Sequence, residues 1–343
     1  MNPRALLLVA PSLLLACSGG AGGGGSDGGG AGDGGDCPAT SRVTTIVSAS
    51  GPFGRAALDD QHVYVPGKFS ADEGVESFPR AGGNGAALGT PTLGVVTPDL
   101  GLLVGSDVWF VGGSSGNVYK VPVAGGAYTT VGTGYRLIAQ RRLAFDADAV
   151  YLLGDKGNDV VVDRFPRAGG AAQTLATLPS GQYNLALYDT EVWVSGGAIG
   201  QTAIQHLPKT GGAPQTAFMG RQCLFGLAVT ADAVFCADTR GLARIARSDG
   251  TTRALYTSPA TLDAVESAVV TADGSTAYVS DGMGQGNGRA SRIVKVDVAS
   301  GATTTLACGL APPHHLVLGA NVLAWTAFFV AVNGTYEVQT LGL

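Results

Sequence analysis

The chain has 343 residues and a formal net charge of −5, and 54 residues, about 16%, are glycine, against an average near 7%. Charged residues make up 14% and hydrophobic residues 45%, so the chain has enough apolar side chains for a core and cannot be disordered throughout. The glycines follow no three-residue period, which excludes collagen. The negative charge argues against a nucleic-acid partner, which would need a basic surface.

The N-terminus is typical of a processed export signal. Arg4 precedes an apolar stretch, Ala5–Leu15, which is too short to span a bilayer. Leu14-Leu15-Ala16-Cys17 resembles the lipobox of bacterial lipoproteins, and this resemblance implies cleavage before Cys17 and lipidation of its sulfur. Ser18 rather than Asp follows, which in such families implies sorting to the outer membrane. An ordinary secretory signal that contains a cysteine is the alternative.

A glycine-rich linker follows the cysteine. Residues 18–36 contain 12 Gly and no side chain larger than Asp, so they cannot form a core. A flexible chain of this length has an end-to-end distance of about 25 Å. The linker is therefore predicted to tether a folded domain to a lipid surface. We expect that domain to lie in an oxidising compartment, facing the periplasm or the cell exterior.

The remaining chain repeats one short motif, in which an aromatic residue follows a valine or alanine inside an apolar strand. Seven copies occur at intervals of 42 to 45 residues, with Leu in the aromatic place of the last copy. Their centres are Tyr64, Trp109, Tyr151, Trp193, Phe235, Tyr278 and Leu323. A period of this length is typical of a repeat architecture.

A second motif follows each copy and ends in turn residues. Its clearest forms are VESFPRAGG (75–83), VYKVPVAGG (118–126), VDRFPRAGG (162–170) and IQHLPKTGG (204–212). With a Thr-rich strand after it and a short apolar strand before the aromatic motif, each unit contains four short strands. Four strands in about 43 residues indicate a blade of a β-propeller. A β-solenoid, the alternative, has shorter repeats with fewer strands.

The two ends of the chain complete one another. The last unit has predicted strands at about 314–318, 321–327 and 335–341 but lacks a fourth, and VTTIVS (43–48) is a Thr-rich strand with no unit of its own. If the N-terminal strand pairs with the three C-terminal strands, they complete one blade, and the ring has no exposed edges. The fold class is therefore all-β: a seven-bladed β-propeller of four-stranded blades, the last blade closed by the N-terminal strand.

The chain resembles bacterial extracytoplasmic β-propellers of the NHL, TolB and streptogramin-lyase type. The strand pair LAVTADAVFCAD (227–238) and the VPxxGG turns carry the resemblance, which covers about 41–343. It implies the architecture and leaves the function open, since such propellers include binding, scaffold and enzyme roles. We divide the chain into a lipoprotein signal peptide (1–16), the lipidated cysteine and tether (17–36) and a single propeller domain (37–343).

Four cysteines remain once Cys17 is assigned to the lipid. Cys223 precedes the innermost strand of the fifth unit and Cys236 lies near the end of the next strand, so both lie on one rim and are predicted to form a disulfide. Cys37 and Cys308 are then left to pair with each other. Four free thiols are the alternative. Cys-x-x-Cys and close Cys/His spacings are missing, so no zinc site is predicted.

Alignment of the units predicts a ring of residues at the mouth of the central channel, where the innermost strands begin. The aligned residues are Arg55, Leu100, Arg142, Asn184, Gly226, Ser267 and His314. The polar members, Arg55, Arg142, Asn184, Ser267 and His314, are candidate ligand-binding residues. Through the two arginines and the histidine they suit an anionic or hydroxyl-rich ligand. A solvated channel lining with scattered polar residues is the alternative.

The pair His314-His315 bears on catalysis. Streptogramin-lyase-like propellers use His with acidic and metal partners near the axis, and the resemblance makes Glu266 the nearest acidic candidate here. Adjacent strand residues point to opposite faces, so the two histidines are not expected to share a metal. We therefore assign no catalytic residue, no metal and no cofactor.

The predicted function is that of a lipid-anchored, non-enzymatic propeller that presents a binding or scaffold surface at the outer membrane. Its partners are the membrane, through Cys17, and a protein, small-molecule or glycan ligand. The alternative is a propeller-type lyase or lactonase that works at the central channel, which would require acidic residues and His to converge on one reacting point.

Overall fold

The computed structural model describes residues 42–69, 72–89, 101–112, 116–135, 142–179, 181–197, 202–259, 265–282, 291–329 and 335–343. The predicted signal peptide, Cys17 and the tether lie outside these ranges, so their assignment stays a prediction. The described residues contain no helix that is long and apolar enough to cross a membrane.

Strands make up nearly all of the regular structure. The strands from the N-terminus through the third repeat are β1 (Val43–Ala49), β2 (Ala57–Leu58), β3 (His62–Phe69), β4 (Asp72–Pro79), β5 (Ala86–Ala87), β6 (Gly101–Val104), β7 (Asp107–Val111), β8 (Val118–Pro122), β9 (Thr129–Gly132), β10 (Arg142–Phe145), β11 (Ala149–Lys156), β12 (Asp159–Pro166) and β13 (Gln173–Leu178).

The second half of the chain continues the same pattern. Its strands are β14 (Gln182–Tyr188), β15 (Glu191–Gly197), β16 (Ala203–Pro208), β17 (Gln215–Met219), β18 (Gly226–Val229), β19 (Ala233–Asp238), β20 (Gly241–Ala246), β21 (Thr252–Thr257), β22 (Val265–Val270), β23 (Thr276–Asp281), β24 (Ser291–Asp297), β25 (Thr303–Leu310), β26 (Pro313–Leu318), β27 (Val322–Phe329) and β28 (Thr335–Gly342).

These strands form seven four-stranded antiparallel sheets, which confirms the predicted β-propeller. Blades 1 to 6 are simple meanders of consecutive strands, β2–β5, β6–β9, β10–β13, β14–β17, β18–β21 and β22–β25. Blade 7 has the order β1-β28-β27-β26, so the N-terminal strand supplies its outermost edge. Val43 pairs with Leu341 and Ala49 with Tyr336. The closure predicted from the two incomplete chain ends is therefore confirmed.

The ring is closed at its centre as well. Each innermost strand contacts the innermost strand of the next blade, and β26 of blade 7 contacts β2 of blade 1. The second strand of a blade is buried on both faces, as in β11, where Ala149 to Gly154 are all buried. The core consists of clusters between adjacent blades; one of them joins Tyr151 of blade 3 to Val192 of blade 4. Burial of both faces accounts for the low content of charged residues.

The repeated aromatic residue fills the space between blades and also fixes a turn. Tyr151 is almost fully buried, and its hydroxyl donates to Asp146 at 3.0 Å. The other carboxylate oxygen of Asp146 accepts the backbone N–H groups of Asp148 and Ala149, both at 2.9 Å. An aspartate that accepts hydrogen bonds from its own turn stabilises the connection between two strands.

The PRAGG motif closes the outer turns of the blades. In its Pro-x-x-Gly-Gly sequence the paired glycines have left-handed or otherwise positive φ, for example 86° at Gly82 and 134° at Gly83. Residues with a Cβ rarely adopt these angles, which explains the repeated glycine pair. The arginine has a separate role, because Arg80 donates to the carbonyl oxygens of Asp59 at 3.4 Å and Asp60 at 3.0 Å.

Each innermost strand begins at one rim of the ring and ends at the other. We call the rim where these strands end the turn rim; it carries Asp59, Asp146, Glu191 and Asp232. Ion pairs cross between blades there: Lys209 of blade 4 lies 2.8 Å from Asp146 of blade 3, and Arg247 of blade 5 lies 3.3 Å from Glu191 of blade 4. At the turn rim, ion pairs between a carboxylate of one blade and a cationic side chain of the next thus join adjacent blades.

Candidate functional site

The opposite rim contains the predicted ring of polar residues. We call the group Arg55, Arg142, Asn184, Glu266, His314 and His315 the axial mouth. Arg55 lies just before β2, Arg142 begins β10, Asn184 lies in β14, Glu266 in β22 and the histidines in β26. Five blades therefore contribute a side chain at the start of an innermost strand. Leu100 of the predicted ring lies outside the described residues.

Two of the predicted residues are joined by a hydrogen bond across a blade boundary. Arg142 donates through Nε to Oδ1 of Asn184 at 3.0 Å, and Nη2 lies 3.5 Å from the carbonyl oxygen of Leu224. Asn184 is buried; its Oδ1 also accepts from the Leu185 N–H, and its Nδ2 donates to the Cys223 carbonyl oxygen at 3.0 Å. Asn184 therefore links Arg142 to the segment before β18 and fixes the orientation of the guanidinium group.

The predicted Cys223–Cys236 disulfide is confirmed, with Cα atoms 4.8 Å apart. It anchors the segment whose carbonyl groups hold Arg142 and Asn184, and Ser195 adds a hydroxyl 3.5 Å from the Cys223 carbonyl oxygen. Cys308 is buried and disulfide-bonded. Cys37 lies outside the described residues, so its pairing with Cys308 stays a prediction. We call the carbonyl groups of Cys223 and Leu224 the carbonyl clamp. Every residue type has a backbone carbonyl, so the sequence pattern did not predict that these two would hold Arg142 and Asn184.

Ser267 occupies its predicted strand but is buried rather than open to the channel. Its Oγ accepts the Leu316 N–H at 3.0 Å, and its carbonyl oxygen accepts from the Ser280 hydroxyl at 3.3 Å. The first of these bonds joins blade 6 to blade 7. The side chain therefore contributes to the assembly of the ring.

The two adjacent histidines have different environments. His314 contacts the carboxylate of Glu266 in blade 6, with 3.2 Å between Nδ1 and Oε2. His315 has φ of 55°, and the pairing of β26 with β27 shifts between His314 and Val317. This bulge interrupts the alternation of side chains expected for a regular strand, and the two ring centroids lie 6.3 Å apart. The Nδ1 atom of His315 lies 3.3 Å from the Thr326 hydroxyl.

His315 is electrically neutral at physiological pH. Burial lowers the pKa of its imidazole to about 3, and the positive charges of Arg142, His314 and Arg55 act in the same direction. The side chain is half-buried, and a neutral imidazole can give or accept a hydrogen bond without adding charge. It is unsuited to proton transfer near neutral pH, where a catalytic base would need a pKa close to the working pH.

Arg55 is held through its backbone and contributes an unmatched charge. Its carbonyl oxygen accepts the Gly101 N–H at 2.8 Å, and a Cβ on Gly101 would lie only 2.5 Å from that oxygen, so blade 2 needs glycine here. Burial and the nearby charge of Arg142 lower the pKa of the Arg55 guanidinium to about 10. Among the described residues, no carboxylate lies within ion-pair distance of Arg55.

The described part of the chain contains no cluster of three or more His, Cys, Asp or Glu residues that could hold a metal ion. Glu266 and His314 form a pair, but the described residues bring no third such group to them. Two cavities, of about 370 and 380 Å³, lie instead between blades at the turn rim. Residues that line them include Asp107 and Arg167 in the first and Asp146 and Lys209 in the second.

The comparisons with known proteins agree with the fold. No protein-family model and no curated protein matches the chain. Virginiamycin B lyase from Staphylococcus aureus is similar in structure, with a TM-score of 0.62 at 14% identity, over 87% of this chain and 98% of that one. An oligogalacturonate lyase in complex with manganese gives a TM-score of 0.62 at 12% identity, over 90% and 94% of the two chains.

A third similar structure is BamB from Moraxella catarrhalis, with a TM-score of 0.51 at 17% identity, over 83% of this chain and 84% of that one. Identities this low show a shared architecture and do not transfer a site or an activity. The class of the protein is therefore a seven-bladed β-propeller.

Proposed function

We propose that this protein is a lipid-anchored, extracytoplasmic β-propeller that acts as a non-enzymatic binding module, with its ligand site at the axial mouth. One observation carries the proposal. Side chains suited to binding converge at the mouth, where Asn184 holds Arg142 by a hydrogen bond, while the imidazole of the half-buried His315 has a pKa near 3 and is unsuited to proton transfer. The other histidine, His314, is paired with Glu266.

The mouth is also preorganised for binding. Asn184 fixes Arg142, and the segment held by the Cys223–Cys236 disulfide fixes Asn184. Binding to a rigid site avoids the entropic cost of ordering side chains. The ligand is a small molecule, a glycan or an exposed group of a protein, and the chain's net charge of −5 disfavours nucleic acid.

The anchor is tested by Cys17→Ser. The protein should move from the membrane fraction to the soluble extracytoplasmic fraction, because a lipidated cysteine supplies the attachment. Ser26→Ala, within the same glycine-rich linker, is the matched control and should remain in the membrane fraction. Unchanged membrane association of Cys17→Ser would overturn the lipoprotein assignment, and an outer-membrane fraction separated by density tests the location.

The binding role is tested by crosslinking in intact cells with wild-type protein, Arg142→Gln and Arg240→Gln. Arg240 is exposed on the same rim but away from the axis, in the turn between β19 and β20. A partner captured by wild-type protein and by Arg240→Gln, and lost with Arg142→Gln, would support the proposal. Capture that is equal in all three proteins would exclude the axial mouth as the binding site.

The Glu266–His314 pair favours one alternative, a lyase that works at the same mouth. A carboxylate and an imidazole 3.2 Å apart are suited to act as acid and base, and two of the similar solved structures are lyases. Metal analysis of the purified protein separates the two functions. A stoichiometric divalent metal that is lost in Glu266→Gln would favour the lyase and overturn the non-enzymatic proposal.

A further inference from the structure

We propose that the axial mouth binds an oxyanion, the carboxylate or phosphate group of a small ligand, between the guanidinium groups of Arg55 and Arg142. This inference rests on the proposed function, because it takes the mouth to be the ligand site, and it adds the chemistry of the ligand.

The unmatched charge of Arg55 is the first argument. On the turn rim the cationic side chains contact carboxylate or carbonyl oxygens: Arg247 reaches Glu191, and Arg80 reaches the carbonyl groups of Asp59 and Asp60. In the described part of the chain Arg55 has no carboxylate within ion-pair distance. Arg55 is half-buried, and a partly desolvated charge without a counter-charge opposes folding, so this arrangement favours a ligand that provides one.

The proximity of two like charges is the second argument. Arg55 lies just before the innermost strand of blade 1 and Arg142 begins that of blade 3, so both stand on the same rim. Desolvation and the charge of Arg142 lower the pKa of Arg55 to about 10, which means that the two cations repel each other. An anion placed between them would reverse the sign of the interaction. Each guanidinium group can also bind an oxyanion through a pair of parallel hydrogen bonds.

The hydrogen-bonding inventory selects an anion over a neutral, hydroxyl-rich ligand. Guanidinium groups only donate, whereas a sugar hydroxyl also needs an acceptor. Oδ1 of Asn184 already accepts from Arg142 and from the Leu185 N–H, and Oε2 of Glu266 already faces His314. Among the described side chains of the mouth, the guanidinium donors therefore outnumber the free acceptors, and the ligand that suits donors best carries only acceptors.

The position of Arg142 is fixed before any ligand arrives. Its Nε is held by Asn184 and its Nη2 lies near the Leu224 carbonyl oxygen, next to the disulfide at Cys223. Desolvation and the charges of both arginines lower the pKa of His315, so it remains neutral and can contribute a hydrogen bond without adding charge. The mouth is thus a local positive region on a protein of net charge −5, which favours attraction of an anion to this place.

Isothermal titration calorimetry of the purified full-length chain at low ionic strength tests the inference with three probes: inorganic phosphate, succinate and glucose. We expect phosphate or succinate to bind and glucose not to bind. The oxyanion that binds with the higher affinity shows whether the anionic group of the ligand is a phosphate or a carboxylate. Arg55→Gln and Arg142→Gln should each weaken that binding by about ten-fold or more, because each removes a charge-assisted contact.

Arg240→Gln is the matched control, since it removes one positive charge from the same rim, and should leave the affinity within about two-fold. Arg55→Lys keeps the charge without the planar fork and should fall between wild-type protein and Arg55→Gln. Thermal unfolding of each variant establishes that loss of binding is not loss of the fold. A rise in the midpoint of wild-type protein on addition of the oxyanion, absent in Arg55→Gln, gives a second readout.

Failure of both oxyanions to bind, equal weakening by Arg240→Gln, or tighter binding of glucose would overturn the inference. The crosslinking experiment separates this failure from failure of the proposed function. If capture still depends on Arg142 while no oxyanion binds, the binding module stands and the oxyanion is wrong. If capture does not depend on Arg142 either, both are wrong.

Discussion

The two rims of this propeller use charge in opposite ways. At the turn rim, Asp146 and Glu191 are matched by Lys209 and Arg247 of the following blades, and the pairs link one blade to the next. At the axial mouth, the positive charge of Arg55 has no carboxylate within ion-pair distance among the described residues, although the side chain is half-buried and its surroundings oppose the charge. The difference teaches that charge at the turn rim serves the fold, whereas charge at the mouth indicates a ligand.

The same contrast appears in the pKa values. Burial alone would raise the pKa of Asp146, but hydrogen bonds from Lys209, from the backbone of Asp148 and Ala149 and from Tyr151 lower it to about 2. The surroundings of Asp146 therefore stabilise its charged form. At the mouth the pKa of Arg55 is lowered, which means that its surroundings oppose its charged form. We therefore expect an Arg→Gln substitution to lower the free energy of unfolding at a matched charge and to leave it nearly unchanged at an unmatched one.

The largest effect is expected from the loss of the disulfide behind the mouth. Replacement of Cys223 and Cys236 by Ser opens a link between residues 13 apart in sequence and should lower the free energy of unfolding by about 3 kcal/mol. It should also weaken oxyanion binding, because the Cys223 carbonyl oxygen orients Asn184. Urea unfolding and calorimetry measure the two effects. Unchanged binding in a folded double variant would show that the clamp does not depend on the disulfide.

Removal of a matched charge at the turn rim comes next. Arg247→Gln loses the ion pair with Glu191, hydrogen bonds to the carbonyl groups of Thr230 and Ala231, and stacking of the guanidinium on Trp193 at 5.0 Å. We expect the free energy of unfolding to fall by about 2 kcal/mol, with oxyanion affinity unchanged. Arg240→Gln serves as the exposed control. A loss of affinity with Arg247→Gln would mean that the two rims are coupled.

Acid should weaken the turn rim through Asp146. Its pKa in the folded protein, about 2, lies below the ordinary 3.8, so its contribution is complete above pH 4 and is lost as the pH falls toward 2. The contribution is about 1 to 2 kcal/mol after allowance for partial solvent exposure of the pair. Urea unfolding of wild-type protein and Asp146→Asn between pH 5 and pH 2.5 measures it. The two proteins should converge at low pH, and a constant difference would exclude this origin.

The smallest change in stability, and the sharpest contrast, is expected at the mouth. Arg55→Gln removes a charge that its surroundings oppose, so the free energy of unfolding should stay within about 0.5 kcal/mol or rise. Oxyanion binding should weaken by about ten-fold or more in the same variant. Thermal unfolding in phosphate-free buffer, beside Arg247→Gln, checks the comparison. A destabilisation of Arg55→Gln as large as that of Arg247→Gln would show that Arg55 serves the fold.

The architecture could be predicted because its signals are local and repeated. Spacings of 42 to 45 residues between the aromatic centres reveal the units, since each blade must bury one large side chain against its neighbour. The incomplete units at the chain ends predicted the closure of blade 7. The Cys223–Cys236 disulfide followed from the position of each cysteine relative to a strand. Each of these inferences needs only the order of the strands and the alignment of the repeated units with one another.

The mouth could be predicted only in part. The alignment named Arg142 and Asn184 as neighbours in a ring but did not predict the hydrogen bond between their side chains. The carbonyl oxygens of Cys223 and Leu224, which hold both residues, are backbone groups from a third blade. The left-handed conformation of His315 is equally invisible, because a histidine in a strand-like segment predicts an extended backbone.

By itself, therefore, the sequence determined the number of blades, the way in which the ring closes and the residues that stand at the start of each innermost strand. Only the tertiary structure decided which charges are matched. Lys209 meets Asp146 from 63 residues away because adjacent blades place them at one rim, while Arg55 and Arg142 lie on the opposite rim, where no carboxylate of the described residues is within ion-pair distance of Arg55. Pairing depends on distances between blades, and those distances exist only once the ring is closed.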